Sequence, residues 1–228
     1  MTALQIGILV FPRVQQLDLT GPYEVFASIP GATVRLIWKD LAPIVSATGL
    51  VLTPDMRLDE APPLDVICVP GGVGVNALME DEAVLGFLRR QAESARYVTS
   101  VCTGALVLAA AGLLAGRRAT THWASHDLLA PLGAIPVAAR VVADGRFISG
   151  GGVTAGIDMA LAAVAELFGR EQAETIQLML EYAPDPPFAS GRPDAAPQAV
   201  LERSRAMLTA SRAEREAIVA RILAARAA

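Results

Sequence analysis

The chain has 228 residues, of which 53% are hydrophobic and 18% charged, and its formal net charge is −4. One α/β domain suits this length, given a prior of about 150 residues per domain. The charge shows no basic pattern of the kind that nucleic-acid binding needs. No stretch reaches the ~18 uninterrupted apolar residues of a membrane-spanning helix, and the first residues lack the basic start of a secretory signal. We therefore expect a cytoplasmic protein with neither nucleic acid nor membrane as a partner.

Short apolar runs alternate with helical patterns along the first half of the chain. Nearly unbroken apolar runs are typical of strands that are buried on both faces. They occur at residues 4–11, 33–38, 65–70 and 97–102. Helical spacing is found at residues 21–29, with Pro22 near the start, at 79–95 and at 104–114. A hairpin that turns at Thr48-Gly49 is predicted within residues 43–55.

The second half of the chain continues this alternation. A shorter helix is predicted at residues 121–133, followed by a hairpin over 139–151 with Asp144-Gly145 at its turn. Helices follow at 154–169 and 170–182. Strands that alternate with helices indicate a mainly parallel central sheet with helices on both faces, which is an α/β fold.

A proline-rich segment at residues 183–197 separates this pattern from a helix-forming tail. We therefore predict one domain over residues 1–192, and a linker with a terminal helix over 193–228. The tail carries a modest apolar stripe, which predicts that its helix packs on the same domain or on a partner subunit.

Three features map to the carboxyl edge of the predicted sheet, where parallel sheets place their ligands. Asp18 lies in the loop after the first strand, Gly71-Gly72 follows the third, and Cys102 ends the fourth. Cys102 precedes a helix, whose free N–H groups and positive partial charge favour a thiolate, the reactive form of cysteine. Cys68, inside an apolar strand, is expected to be a buried core residue.

Each of these residues also has a structural interpretation. Asp18 can serve as a helix N-cap or turn residue, or it can face the thiol and share a proton with it. In the second case a neutral carboxyl group would stabilise the thiolate, whereas a carboxylate would repel it. The two glycines can form a tight turn, or their N–H groups can stabilise developing negative charge.

The segment "HWASH" holds His122 and His126, which would lie on one face of an α-helix. Two such histidines bind zinc when a third ligand and a base are present. The residue after the first histidine is Trp123, where a metalloprotease motif has glutamate. We therefore predict no metal site and interpret both histidines as structural.

Several stretches together resemble the ThiJ/PfpI superfamily over essentially the whole chain. They are "VPGG", "SVCTGALVLAAAGLLAGRRATTHW" and "GGGVTAGIDMAL". Within the superfamily, "FPRVQQLDLTGP" and "YVTSVCTG" resemble the isocyanide hydratase branch. This resemblance implies a flavodoxin-like fold, a homodimer and no cofactor.

For the site, the resemblance implies that Cys102 is the nucleophile and Asp18 the acid and base, with backbone N–H groups from Gly72 and Thr103. The implied reaction adds water to an isocyanide through a cysteine thioimidate and gives an N-substituted formamide. Peptidase-like relatives place histidine directly after the cysteine; Thr103 stands there in this chain, which makes peptide hydrolysis doubtful. Two alternatives remain: a glyoxalase or deglycase acting on small α-oxoaldehydes, and a cysteine redox sensor.

Overall fold

The computed structural model describes residues 4–227. Its strands are β1 (Leu4–Leu9), β2 (Ala32–Trp38), β3 (Ile44–Val45), β4 (Val51–Leu52), β5 (Met56–Arg57), β6 (Val66–Val69), β7 (Tyr97–Val101), β8 (Arg118–Ala119), β9 (Ile135–Pro136), β10 (Val141–Asp144) and β11 (Phe147–Gly150). Its helices are α1 (Gln16–Ala27), α2 (Val75–Leu78), α3 (Glu82–Ser94), α4 (Gly104–Ala110), α5 (Ala155–Phe168), α6 (Arg170–Met179) and α7 (Gln198–Ala227). A 3-10 helix lies at Trp123–Leu128.

Within the described residues, seven strands form one sheet in the order β10-β11-β7-β6-β1-β2-β5. Every neighbouring pair in this sheet is parallel except β10 and β11, which form the antiparallel hairpin expected around Gly145. The mainly parallel α/β architecture predicted from the sequence is therefore confirmed. Among residues 4–227, no helix is both long and apolar enough to span a bilayer.

The central strands are buried because their residues are apolar on both faces. All four residues of β6 are buried, including Cys68, and the inner residues of β1 and β7 are equally inaccessible. Helix α4 is buried over Gly104 to Ala109, as its run of alanine, leucine and valine predicts. These apolar contacts fix the carboxyl ends of β1, β6 and β7 beside one another.

Two predicted elements differ from the structure. Helix α1 begins at Gln16, so Asp18 lies in its first turn, and the placement of Asp18 in a loop was wrong. Pro22 sits inside this helix, where it cannot donate to the carbonyl group of Asp18. The segment after Thr121 forms a 3-10 helix rather than an α-helix. Short segments readily adopt this tighter geometry.

Close packing between α1 and α5 holds Asp18 in place. A Cβ atom at Gly21 would lie 3.0 Å from Cγ1 of Ile157, and one at Gly156 would lie 3.1 Å from Cγ of Pro22. The two helices therefore approach at positions where side chains are absent.

Helix α7 lies against the same domain. Its buried residues include Ile218 and Val219, and it contacts α2 and the 3-10 helix. Arg226 donates to the carbonyl oxygens of Ala109 and Ala110 at 3.0 Å each. The tail is therefore anchored near the C-terminal end of α4, the helix that follows Cys102.

Gly104 begins α4 where the helix passes very close to β6. A Cβ atom at this position would lie 2.0 Å from the carbonyl oxygen of Val69 and 2.8 Å from that of Pro70. Backbone atoms cannot move aside as a flexible side chain can. The join between β7 and α4 thus depends on the absence of a side chain at residue 104.

Gly104→Ala should lower the free energy of unfolding by roughly 2–3 kcal/mol, because the added methyl group overpacks a rigid contact. Gly86→Ala in α3 is the matched control, since its Cβ would meet nothing nearer than Nη1 of Arg90 at 3.5 Å. That variant should be neutral or more stable by up to about 1 kcal/mol. Urea unfolding of both variants measures the difference; equal stabilities would contradict the expectation.

Candidate active site

Cys102 occupies a sharp turn between β7 and α4. Its φ angle is +54°, which lies in the left-handed region that side chains rarely adopt. The Cys102 N–H group donates to the carbonyl oxygen of Gly150 at 2.9 Å, and the Thr121 hydroxyl donates to the Cys102 carbonyl at 2.7 Å. These two hydrogen bonds hold the strained backbone between neighbouring segments.

Asp18 is fully buried beside this turn. Its Oδ2 atom accepts a hydrogen bond from the Gly71 N–H group at 2.9 Å, whereas Oδ1 has no such partner within residues 4–227. A Cβ atom at Gly71 would lie 2.7 Å from Oδ2 of Asp18 and 2.6 Å from the nitrogen of Thr103. Gly71 therefore lets α1, the loop after β6 and the start of α4 converge.

Thr103 connects Gly71-Gly72, the glycine loop that follows β6, to the Cys102 thiol. Its Oγ1 atom accepts from the Gly72 N–H group at 3.1 Å and lies 3.3 Å from the Gly72 carbonyl, to which it can donate. Both the N–H group and the hydroxyl of Thr103 also hydrogen-bond to the Cys102 side chain, which lowers the pKa of that thiol. The Gly72 N–H group thus already has a partner, while the Thr103 N–H group is directed at sulfur.

Burial dominates the acidity of Asp18 and Cys102. It raises the pKa of Asp18 to about 7, against the opposing effect of hydrogen bonds from Gly71 and Cys102. Burial raises the pKa of the Cys102 thiol well above its usual value, and the charge of Asp18 raises it further. The expected bias of the helix start toward a thiolate is therefore outweighed, and the resting cysteine is a thiol.

The two groups form a coupled pair, in which the charge of one changes the pKa of the other. Moving a proton from Cys102 to an ionised Asp18 would create a thiolate beside a neutral carboxyl group and leave the total charge of the pocket unchanged. Losing both protons would put two negative charges in a site where Cys102 is only 6% exposed, which is costly. The arrangement therefore keeps one proton in the pair above pH 7, and in the resting protein that proton is on Cys102.

The two histidines occupy different positions from those predicted. His122 precedes the 3-10 helix and caps it, its Nδ1 atom accepting from the Ala124 N–H group at 3.3 Å. His126 lies inside that helix, so the two do not share a face of an α-helix. Burial and the charge of Arg215 lower the pKa of His122 to about 4, which keeps it neutral at pH 7. No cluster that could hold a metal ion is found among residues 4–227.

Sequence reasoning missed one buried charge close to this site. Arg215 of α7 is only 6% exposed, although charged residues surround it in the chain. The only signal was its spacing, because it precedes the buried residues Ile218 and Val219 by three and four positions and so shares their face.

A mainly parallel sheet that presents a cysteine at a strand-to-helix turn, beside a buried carboxyl group, defines a class of α/β proteins. The chain belongs to the DJ-1/PfpI family, whose model matches residues 4–166. The resemblance to the ThiJ/PfpI superfamily is thereby confirmed, and with it the flavodoxin-like fold.

Individual relatives show which members of this family the chain is similar to. The chain is 64% identical over 203 residues to an isonitrile hydratase of Pseudomonas putida, a match that covers 89% of each protein. It is 38% identical over 186 residues to the transcriptional regulator GbdR of Pseudomonas aeruginosa, covering 78% of this chain and 50% of the regulator. A solved ThiJ/PfpI family protein from Pseudomonas syringae has 42% identity and a TM-score of 0.93, covering 96% of this chain and 91% of that one.

The buried carboxyl group should make stability depend on pH. Asp18 keeps its proton up to about pH 7 in the folded protein, whereas the pKa of an unperturbed aspartate is 3.8. Between these values the unfolded chain binds fewer protons, so the free energy of unfolding falls as pH rises. The total loss attributable to Asp18 is about 4 kcal/mol by pH 8, at about 1.4 kcal/mol per pKa unit.

Asp18→Asn should remove this loss. The free energy of unfolding of the variant minus that of the unmodified protein should therefore be larger at pH 8 than at pH 4.5. Urea unfolding at both pH values measures the change. Asp59→Asn, at an exposed position, controls for the removal of one carboxyl group. A constant difference between Asp18→Asn and the unmodified protein at both pH values would contradict the expectation.

Proposed function

We propose that the protein adds water to isocyanides and releases N-substituted formamides, with Cys102 as nucleophile and Asp18 as proton carrier. The observation that carries this proposal is the pairing of a fully buried carboxyl group with a nearly buried thiol. The similarity to an isonitrile hydratase from Pseudomonas putida supports the substrate class. Nothing is oxidised or reduced in this reaction, so these residues need no cofactor.

The shape of the site suits a narrow substrate group. With 6% of Cys102 exposed, little more than a slender group can reach the sulfur. An isocyano group is linear, and its reactive carbon is its terminal atom. A peptide carbonyl is flanked by chain on both sides, and Thr103 replaces the histidine that a cysteine peptidase would use as its base.

In the first step, the Cys102 thiol transfers its proton to the Asp18 carboxylate. The thiolate then forms a bond to the terminal carbon of the isocyanide. Asp18 delivers its proton to the same carbon, which gives a thioimidate with one C–H bond and leaves a carboxylate. Nucleophile and acid thus act on one atom, as general acid catalysis requires.

In the second step, the Asp18 carboxylate takes a proton from water while the hydroxide bonds to the thioimidate carbon. The nitrogen receives this proton from Asp18. The new hydroxyl group then gives its proton to Asp18 as the carbon–sulfur bond breaks. This releases the formamide and restores a thiolate beside a neutral carboxyl group, so one aspartate serves as acid and base in turn.

Thr103 and Gly72 would support these steps through their backbone N–H groups. The Thr103 N–H group already hydrogen-bonds to sulfur and would stabilise the thiolate. The Gly72 N–H group donates to the Thr103 hydroxyl, and it would become available to substrate if that hydroxyl rotated away. We further infer a homodimer, since exposed apolar residues such as Leu178 and Met179 offer surface to a second copy, and we propose a cytoplasmic location for it.

Cys102→Ala should abolish formamide formation, and Asp18→Asn should reduce it by at least about 100-fold, the low end of general acid–base contributions. Purified protein is incubated with an alkyl and an aryl isocyanide, and formamide is followed by chromatography. Cys68→Ala is the matched cysteine control, because Cys68 is buried in β6 with its pKa raised to about 12. It should retain activity.

Full turnover by Cys102→Ala would rule out the thioimidate route, and no turnover by the unmodified protein would rule out the function. Lactate formation from methylglyoxal in place of formamide formation would indicate the glyoxalase alternative. Selective peroxide oxidation of Cys102 with neither activity would indicate the redox sensor.

The pH dependence of kcat/KM should follow the protonation of Asp18 and Cys102. Below about pH 7 Asp18 is protonated and cannot accept the thiol proton, so kcat/KM should fall about tenfold per pH unit there. Above pH 7 the rate should level off, because one proton remains in the pair. Initial rates between pH 5 and 9 test this, and a rate that increases below pH 7 would contradict it.

A further inference from the structure

We propose that Arg215 of α7 is a positioning residue of the active site. Its guanidinium group joins the two segments that flank Cys102 and supplies the positive charge that balances the negative charge of the Cys102–Asp18 pair. The inference rests on the proposed use of Cys102 as a nucleophile. It also extends the site beyond residues 4–166, the part of the chain that the family model matches.

The contacts of Arg215 are specific and buried. Its Nε atom donates to Oδ1 of Asn76 at 3.0 Å, and Nη1 donates to Oγ of Ser125 at 2.8 Å. Nη2 donates to Oγ of Ser211, one turn earlier on α7, at 3.2 Å. Since Asn76 and Ser125 belong to α2 and the 3-10 helix, one guanidinium group bridges two elements that are far apart in the chain.

Each bridged element continues directly into the site. Asn76 follows the glycine loop that contacts Asp18 and Thr103. Ser125 follows Thr121, whose hydroxyl holds the Cys102 carbonyl at 2.7 Å. Arg215 therefore fixes the distance between the two segments that lie on either side of Cys102, one carrying Asn76 and the other Ser125.

Within the described part of the chain, no carboxylate accepts a hydrogen bond from Arg215. Asn76, Ser125 and Ser211 are all neutral, while a guanidinium group stays charged in proteins. Burying a charge at 6% exposure is costly unless an opposite charge lies within range. Burial lowers the pKa of Arg215, and attraction to Cys102 raises it, as the largest opposing effect.

Neighbouring charged groups offer little other compensation. On α7, Arg212 repels Arg215, and Glu214 attracts it from an exposed position where it accepts from Asn76. On the 3-10 helix, Asp127 is paired with Arg212. The remaining group there that interacts with Arg215 is His122, which is neutral at pH 7.

Next to α2, Glu80 is paired with Arg221 at 2.6 Å. Besides the exposed Glu214, the group whose negative charge attracts Arg215 is Cys102, which is as buried as Arg215 itself. A cation near sulfur favours the thiolate over the thiol, so Arg215 would offset part of the effect of burial on Cys102.

The test compares three variants by the pH dependence of Cys102 alkylation with iodoacetamide, read by peptide mass spectrometry. Arg215→Gln removes the charge but keeps hydrogen-bonding atoms, whereas Arg215→Lys keeps the charge. Arg212→Gln is the matched control, because Arg212 also ties α7 to the 3-10 helix through Asp127 and the Ala124 carbonyl. No isocyanide is needed, so the result does not depend on the proposed activity.

Arg215→Gln should slow alkylation at pH 7 on the order of tenfold, equivalent to about one pKa unit in the thiolate fraction, and shift the profile to higher pH. Arg215→Lys should restore most of the rate, and Arg212→Gln should match the unmodified protein. With isocyanide, Arg215→Gln should lower kcat more than it raises KM. Thermal unfolding establishes that each variant is folded, and Arg215→Met is the second neutral variant if glutamine prevents folding.

A profile for folded Arg215→Gln that coincides with that of the unmodified protein would overturn the proposal. So would equal shifts in Arg215→Gln and Arg215→Lys, or a shift as large in Arg212→Gln, since these results would indicate that only the docking of α7 matters. Altered alkylation without any isocyanide turnover in the unmodified protein would leave the role of Arg215 standing and refute the proposed function alone.

Discussion

Removal of water from one carboxyl group and one thiol is the constraint on which the rest of the site depends. In solvent, Asp18 would be ionised and Cys102 largely protonated at pH 7, and neither would influence the other strongly. Burial raises the pKa of both groups, so above pH 7 the pair as a whole keeps one proton instead of carrying two negative charges. The sheet edge, the glycine loop and the first turn of α1 all serve to keep this pair dry and close.

Glycine is what allows these segments to meet. Gly71 brings Asp18 within reach of Thr103, and Gly104 lets α4 pass over the end of β6. At both positions a side chain would collide with backbone atoms, which cannot rotate away. The candidate site therefore presents polar side chains, but its geometry is set by residues with no side chain.

The fold was largely readable from the sequence because β1, β6 and β7 are short apolar runs, each joined to helical patterns. The position of Cys102 at the end of a strand followed from the same pattern. The positive φ of Cys102 was not readable, since it arises from hydrogen bonds to Gly150 and Thr121, which come from distant parts of the chain. Local sequence carries no record of such contacts.

The start of α1 was misread because Pro22 was taken to mark the beginning of a helix, whereas α1 begins at Gln16 and places Pro22 against α5. Arg215 was missed for a related reason. Its neighbours in the chain are charged, and only the docked position of α7 reveals that the guanidinium group is buried. Both errors concern residues whose environment is created by a different element.

The left-handed backbone at Cys102 has a consequence for how this position can change over time. A glycine would adopt φ +54° without strain, whereas a residue with a side chain destabilises the folded protein by about 1–2 kcal/mol at this angle. Selection for folding stability alone would therefore favour replacement of the cysteine by glycine. If the cysteine is nevertheless retained among relatives, this would indicate selection for the reactivity of its sulfur, because glycine is the more stable residue at this position.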